Sequence, residues 1–381
     1  MAGPRVMIVA GEASGDLHGA ALVREALAAK PELSFCGVAG PLMRQAGVEA
    51  IYRTEDFSAM GFGELAGSLG HLLRAQFSLR RLLREGSIAA LVLIDFADFN
   101  LRLAAASKHS RVPVLYYISP KVWAWRAGRI KTIRRLVDRM AVILPFEERL
   151  LAAEGVAATY VGHPLLDSLG EVPERDEARR QLGLGAGPLV ALLPGSRSVE
   201  INRLLPVMAE AAALIARECS ECSFVLPVAA TLEKSKIEAL LPAGLAVALV
   251  SGAPLALSAA DCAIICSGTA TLEAAILQRP MVVVYRASAL SYHIAKRLVR
   301  VDYISLPNLL AGRAVVPELI QREATPQKIA RETLALLADS SAQREGLSEV
   351  RRLLGGKGAA NRAAGLLIDL MIPEPVAAGG R

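Results

Sequence analysis

Three observations predict an α/β chain of two Rossmann-like, parallel-sheet domains with a ligand cleft between them. Apolar runs of strand length alternate with helical periodicity; a polar segment divides the series once; and two runs end in small Gly-containing turns that open into helices. With 381 residues, 53% of them hydrophobic, the chain can bury two ordinary cores.

The first series of strands is expected at Val6 to Ala10, Ser34 to Ala39, Ala90 to Asp95, Val114 to Ser119 and Met140 to Leu144. Helical stretches such as Leu17 to Lys30 and Glu64 to Arg84 separate them. The polar stretch Asp167 to Gly187 then divides the chain, and a second series follows at Leu189 to Leu193, Ser223 to Val228, Ala246 to Val250, Cys262 to Cys266 and Met281 to Tyr285. The expected domains are 1–170 and 188–350, with a C-terminal helix and tail over 351–381 free to cross back to the first. The tail, ending PEPVAAGGR, is expected to fray.

No apolar run reaches the ~18 residues of a membrane span, and MAGPRVMIVAGE enters a strand pattern without a cleavage site, so a cytoplasmic protein is expected. The five cysteines suit free thiols in a reducing compartment. Net charge is +6 and uneven: RAGRIKTIRRLVDR, Arg126 to Arg139, is strongly basic and carries Ile130, Ile133, Leu136 and Val137 on a helical stripe. No nucleic-acid partner is expected.

LVALLPGSRSVE places Pro194, Gly195, Ser196 and Arg197 after one strand; CAIICSGTATLEAA places Ser267, Gly268 and Thr269 after another. Free N–H groups at a helix start and the positive end of its dipole attract phosphate. A cation such as Arg197 there is unfavourable unless an anion lies beside it, so a diphosphate is expected. By contrast, AGEASGD is spaced G-x-x-x-G, which argues against NAD, and either Ser14 or Asp16 can serve there as a helix cap. GGKGAAN follows no strand and is no phosphate loop.

The strand at Ala90 emerges into IDFADFN. Asp98 reads more readily as the cap of the following helix, whereas Asp95 ends an apolar strand, where burial raises a carboxyl toward the range of a general base. Glu273, on the helical face of Thr269, suits the two hydroxyls of a ribose. His163 and His293 stand without metal-like spacing, and hinge or structural roles are expected of them, while His18, after AGEASGDL, is expected to be merely exposed. Phe57 to Gly86 mixes Phe57, Met60, Phe62, Leu69, Leu72 and Phe77 with Arg74, Arg80, Arg81 and Arg84, the composition of a membrane-surface element; a core-facing helix with a solvated basic side remains the alternative.

In order and approximate spacing, AGEASGD, MGFGE, IDFADFN, SPKVWAWR, LPFE, GHPLLD, LPGSR, SGTATLE and DYISLPNLLAGR resemble the lipid-A-disaccharide synthase family from Ala10 to about Ala364. The resemblance implies a GT-B fold and an inverting, metal-independent and cofactor-independent transfer. The implied substrates are UDP-2,3-diacylglucosamine (UDP-diacylglucosamine) and 2,3-diacylglucosamine 1-phosphate (diacylglucosamine 1-phosphate), giving a β-1′,6-linked disaccharide at the inner face of the inner membrane; a homodimer stays open. By position Asp95 and Arg197 match the catalytic pair. The nucleotide side takes Gly195, Ser196, Arg197, Ser267, Gly268, Thr269, Glu273, Asn308 and Arg313. The acceptor and lipid side takes Ser14, Asp16, Met60, Phe62, Asp98, Trp123, Trp125 and Arg126. Ala97 departs from the proline usual in this family. Two other classes stay open: a non-hydrolysing UDP-sugar epimerase, which shares the fold but needs no acyl groove, and a lipid-binding non-enzyme, which needs neither Asp95 nor Arg197.

Overall fold

The structure, a computed structural model, describes residues 3–58, 65–120, 128–169, 172–229, 232–288 and 301–372. Met60, Phe62, Trp123, Trp125, Arg126 and His293, all singled out above, lie outside them. The chain divides into two units, Met1–Pro164 with Gly356–Arg381, and Leu165–Gly355.

The first unit holds strands β1 (Arg5–Ala10), β2 (Ser34–Ala39), β3 (Val48–Arg53), β4 (Ala90–Ile94), β5 (Val114–Tyr117), β6 (Arg139–Val142) and β7 (Ala158–Tyr160). They form one parallel sheet in the order β3-β2-β1-β4-β5-β6-β7. Strands β1, β2, β4 and β5 are almost wholly buried, as apolar runs covered by helices on both faces should be. The helix Ala359–Met371 belongs to this unit: Ala363, Ala364 and Leu367 enter its core, Asn361 donates to Glu25 at 2.9 Å, and Arg362 Nε donates to the Val161 carbonyl at 2.8 Å.

The second unit holds β8 (Leu189–Leu193), β9 (Ser223–Pro227), β10 (Val247–Val250), β11 (Cys262–Cys266), β12 (Met281–Tyr285) and β13 (Glu318–Ile320). Their order is β10-β9-β8-β11-β12-β13, again parallel.

Three edge strands carry no continuous apolar run and were not expected. In β3 buried or half-buried positions alternate with exposed ones, while β7 and β13 are three residues long. The polar separator is also more structured than its composition suggests. Leu166, Leu169 and Ala178 pack into the second core, and the buried Arg179 donates to the carbonyls of Ala259, Gly185, Ala186 and Gly187 and to Asp261. The basic stretch forms the helix Arg129–Leu136, whose apolar stripe faces the core: Ile130, Ile133 and Leu136 are buried, as is Val137 just after it.

Candidate active site

In the first unit the strand order reverses between β1 and β4, the place where open α/β sheets bind ligands at the carboxyl ends of their strands. Asp95 stands there. It has left the strand, which ends at Ile94, and it and Phe96 adopt left-handed backbone at φ +46° and +44°. That conformation costs a non-glycine residue roughly 1–2 kcal/mol, so neighbouring groups must hold it. The buried Asn100 donates to the carbonyls of Ile94 and Asp95 at 3.1 and 2.8 Å, and the Tyr116 hydroxyl donates to the Asp95 carbonyl. Phe96 stacks on Phe99 at 5.1 Å between ring centres, with Phe57 at 6.3 Å from Phe96. Glycine is required at position 11, because a Cβ there would stand 2.4 Å from the Phe96 ring. Burial keeps the Tyr116 phenol protonated, far above its ordinary range, so it remains a donor.

Several expectations on this side change. The helix after Asp95 is capped at Phe96, so Asp98 is not its cap; Asp98 is exposed and paired with Arg129. Likewise the helix Ala13–Ala29 is capped at Glu12, not at Ser14 or Asp16. Ser14 is exposed in its first turn. Asp16 is 2% exposed, and its carboxylate accepts the N–H groups of Leu42 and Met43 at 2.9 and 3.0 Å, capping the short helix Pro41–Gln45. It is spent on the fold rather than on a ligand. Burial lowers His18 to about 4; burial and the nearby His18 lower His163 to about 3, so both are neutral at physiological pH. His18 meets Tyr117 edge-on at 6.5 Å. LPFE has a local reason: Glu147 Oε2 accepts the Leu144 N–H at 3.2 Å, closing the helix start. Phe57 is core, not lipid-facing.

In the second unit the order reverses between β8 and β11, the two strands whose following turns are expected to bind an anion. Leu193 and Ile265 are register partners, so the turns leave the sheet side by side. Gly195 holds φ +109°, and a Cβ there would meet Glu200 Oε2 at 2.4 Å. Arg197 caps the helix Ser198–Glu218 and is 78% exposed. Glu200, which sequence reasoning passed over, accepts the Arg197 N–H at 3.3 Å and lies 3.7 Å from its guanidinium. An anion supplied by the chain itself therefore offsets the unfavourable cation, and the R-x-x-E spacing was the signal for it. The case for a bound diphosphate rests instead on the adjacency of the two turns. Ser196 and Thr269 are exposed, and Gly268 caps the helix Thr269–Ile276.

Glu273 is half-buried on that helix, and no described residue donates to or pairs with its carboxylate. Desolvation pushes its carboxyl above the ordinary range. Ser267 spends its hydroxyl on the Ile304 carbonyl at 2.8 Å. Asn308, 1% exposed, spends its whole amide internally: it donates to the Val316 carbonyl and to Glu318, and accepts from the N–H groups of Val315 and Val316. Glu318 also accepts from Ser305 and Ile304. Asn308 thus organises a loop and has nothing left for a nucleotide. Arg313 is paired with Glu349. Among the described residues no cluster of three or more His, Cys, Asp or Glu has metal-ligand spacing, and no helix is long and apolar enough to cross a membrane.

Two parallel sheets, each with candidate residues at its switch point, define the two-domain architecture shared by GT-B glycosyltransferases and UDP-sugar epimerases. Solved structures of both kinds match it: the UDP-GlcNAc 2-epimerase of Neisseria meningitidis at a TM-score of 0.63, 13% identity, over 96% of this chain and 98% of that one, and the glycotransferase of kitacinnamycin at 0.65, 16% identity, over 97% and 100%. At such identities these likenesses speak for the fold alone. Sequence decides between them. Residues 6–367 match the lipid-A-disaccharide synthetase family, and the lipid-A-disaccharide synthases of Geobacter sulfurreducens and Syntrophus aciditrophicus are 45% and 46% identical over 96% of this chain and 97% of theirs. The chain belongs to the lipid-A-disaccharide synthetase family, and so is a glycosyltransferase of lipid A biosynthesis.

Proposed function

We propose that the chain transfers diacylglucosamine from UDP-2,3-diacylglucosamine to the 6-hydroxyl of 2,3-diacylglucosamine 1-phosphate, inverting the anomeric carbon and releasing UDP. The clamped, strained turn that presents Asp95 carries this reading, because strain of that kind persists where a side chain must be held for chemistry. Asp95 takes the proton of the acceptor hydroxyl as its oxygen bonds to the anomeric carbon. The bond to UDP breaks, and its charge passes to the β-phosphate. Arg197 and the helix starts at Ser198 and Thr269 stabilise that charge as fixed donors. Glu273 accepts the ribose hydroxyls. The raised carboxyl of Glu273 supports this role, since a half-buried carboxylate with no partner among the described residues is one that a ligand can satisfy.

The helix Leu65–Arg84 is proposed to rest on the membrane that carries these substrates. Leu73 and Phe77, one turn apart, are 54% and 68% exposed, with Arg74, Arg81 and Arg84 beside them. Arg80 does not belong to this face, because it donates to the Arg102 carbonyl. Incubation with UDP-diacylglucosamine, with and without the acceptor, tests the reaction: disaccharide phosphate and UDP are expected only with both. An epimerised donor without acceptor, or no product at all, overturns it.

A further inference from the structure

The opposite edge of the second sheet carries an unexplained excess of positive charge. Asp261 lies just before β11 and Arg279 just before β12; because Ala263 is the register partner of Met281, the two stand side by side where the strands begin. Asp261 is already shared, at 2.7 Å from Arg175 and 2.8 Å from Arg179. Arg344 reaches the same corner from the helix Ser341–Leu353, donating to the carbonyl of Gln278, the residue before Arg279, at 3.2 Å. Arg279 itself is half-buried, and its guanidinium makes no hydrogen bond or ion pair with any described residue. The Nε atoms of both Arg279 and Arg175 are enclosed without a partner. Burial and the neighbouring charges of Arg344 and Arg175 depress the Arg279 guanidinium below its ordinary range; Asp261 and Glu174 oppose this. Four guanidiniums thus face three carboxylates, Asp261, Glu174 and the exposed Asp176, which lies 4.0 Å from Arg175. A folded protein holds such a group of cations more easily with an added anion, and planar guanidiniums match phosphate oxygens in pairs.

We propose that Arg279, Arg344 and Arg175 form a binding site for a phosphate-type oxyanion at the amino-terminal edge of the second sheet. It is separate from the nucleotide turns, which leave the other ends of the same strands, about 17 Å away for five residues of strand.

Thermal unfolding with inorganic phosphate tests it, against chloride at matched ionic strength. Phosphate at a hundred-fold excess over its Kd is expected to raise the midpoint by about 5–10 °C in the wild type. Arg197→Ala, which alters the nucleotide turn, should keep that response, while Arg279→Gln and the exposed Arg344→Gln should each weaken phosphate at least ~10-fold. Without phosphate, Arg279→Gln is expected to be no less stable than the wild type, since it relieves repulsion. Vesicles of phosphatidylglycerol against phosphatidylcholine form the second arm: binding that Arg279→Gln abolishes assigns the phosphate to a lipid headgroup, and a response to free phosphate alone assigns it to a soluble ligand. An equal response to chloride, or variants that respond to both probes as the wild type does, overturns the proposal.

Discussion

The Tyr116 hydroxyl donates its hydrogen bond to the main-chain carbonyl of Asp95, not to its carboxylate. The phenol therefore holds the turn through its backbone. Tyr116→Phe keeps the volume of this fully buried ring and removes one bond, about 1 kcal/mol of stability. We expect kcat to fall roughly 10-fold with KM for both substrates nearly unchanged, because a small misplacement of a reacting group is costly. Steady-state kinetics and a melting curve together separate this from general loosening; an unaltered kcat means that the remaining contacts suffice.

Asp95→Asn barely changes size but removes the base. Turnover should fall about 10²–10⁴-fold, with UDP affinity within a few-fold of wild type. A rate near wild type would transfer the role elsewhere.

Arg197→Ala should weaken UDP roughly 10- to 100-fold, the worth of one charged hydrogen bond of about 1.5–3 kcal/mol, and lower kcat as well. It also leaves Glu200 at the helix start without its 3.7 Å partner. Calorimetry with UDP measures the effect, and unchanged affinity would remove Arg197 from the site.

Glu273 gives a pH dependence of definite sign. Its folded-state pKa is raised by burial, so the native state holds the proton longer than the unfolded chain. Stability is then lost as pH rises from the ordinary carboxyl range through the raised value. Hydroxyl donors favour the carboxylate, so the contribution of Glu273 to UDP affinity should grow over the same rise. Glu273→Gln should flatten that component and weaken UDP at neutral pH with less effect on chemistry. Titrations from pH 5 to pH 8 on both proteins decide; parallel curves sink the ribose assignment.

On anionic vesicles, Arg74→Gln with Arg81→Gln and Arg84→Gln should cut binding by an order of magnitude or more, at about 1 kcal/mol for each basic side chain near the surface. Salt should erase the difference. Flotation of the triple variant as efficient as that of the wild type would mark these arginines as an ordinary solvated face.

What could be read from the sequence followed burial. Continuous apolar runs such as Leu189–Leu193 mark the central strands, and the two small turns that follow such runs are the ones the strand order brings together at the second switch point. Of the edge strands β10 was read, whereas β3 escaped because half of it faces away from the core and β7 and β13 because they are three residues long. At the candidate site, the places of Asp95 just after β4, of Arg197 at a helix start and of Glu273 one turn inside a helix could be read from the sequence. Asp16 and Asn308 were misjudged for one reason: a polar side chain in a motif looks the same in sequence whether it serves a ligand or a distant backbone N–H. Tyr116 was hidden in an apolar run, and only the pairing of β4 with β5 brings its hydroxyl to Asp95.

Because the helix Ala359–Met371 completes the first unit, that unit is assembled from both ends of the chain while the second is one uninterrupted stretch. On the ribosome the second unit can close as soon as its own residues have emerged. The first must wait with an apolar flank uncovered until the final helix arrives, roughly 200 residues, or about 10–40 s, after its last strand at bacterial speeds of synthesis. A stop codon just before Ala359 would therefore spare the second unit and cripple the one that carries Asp95.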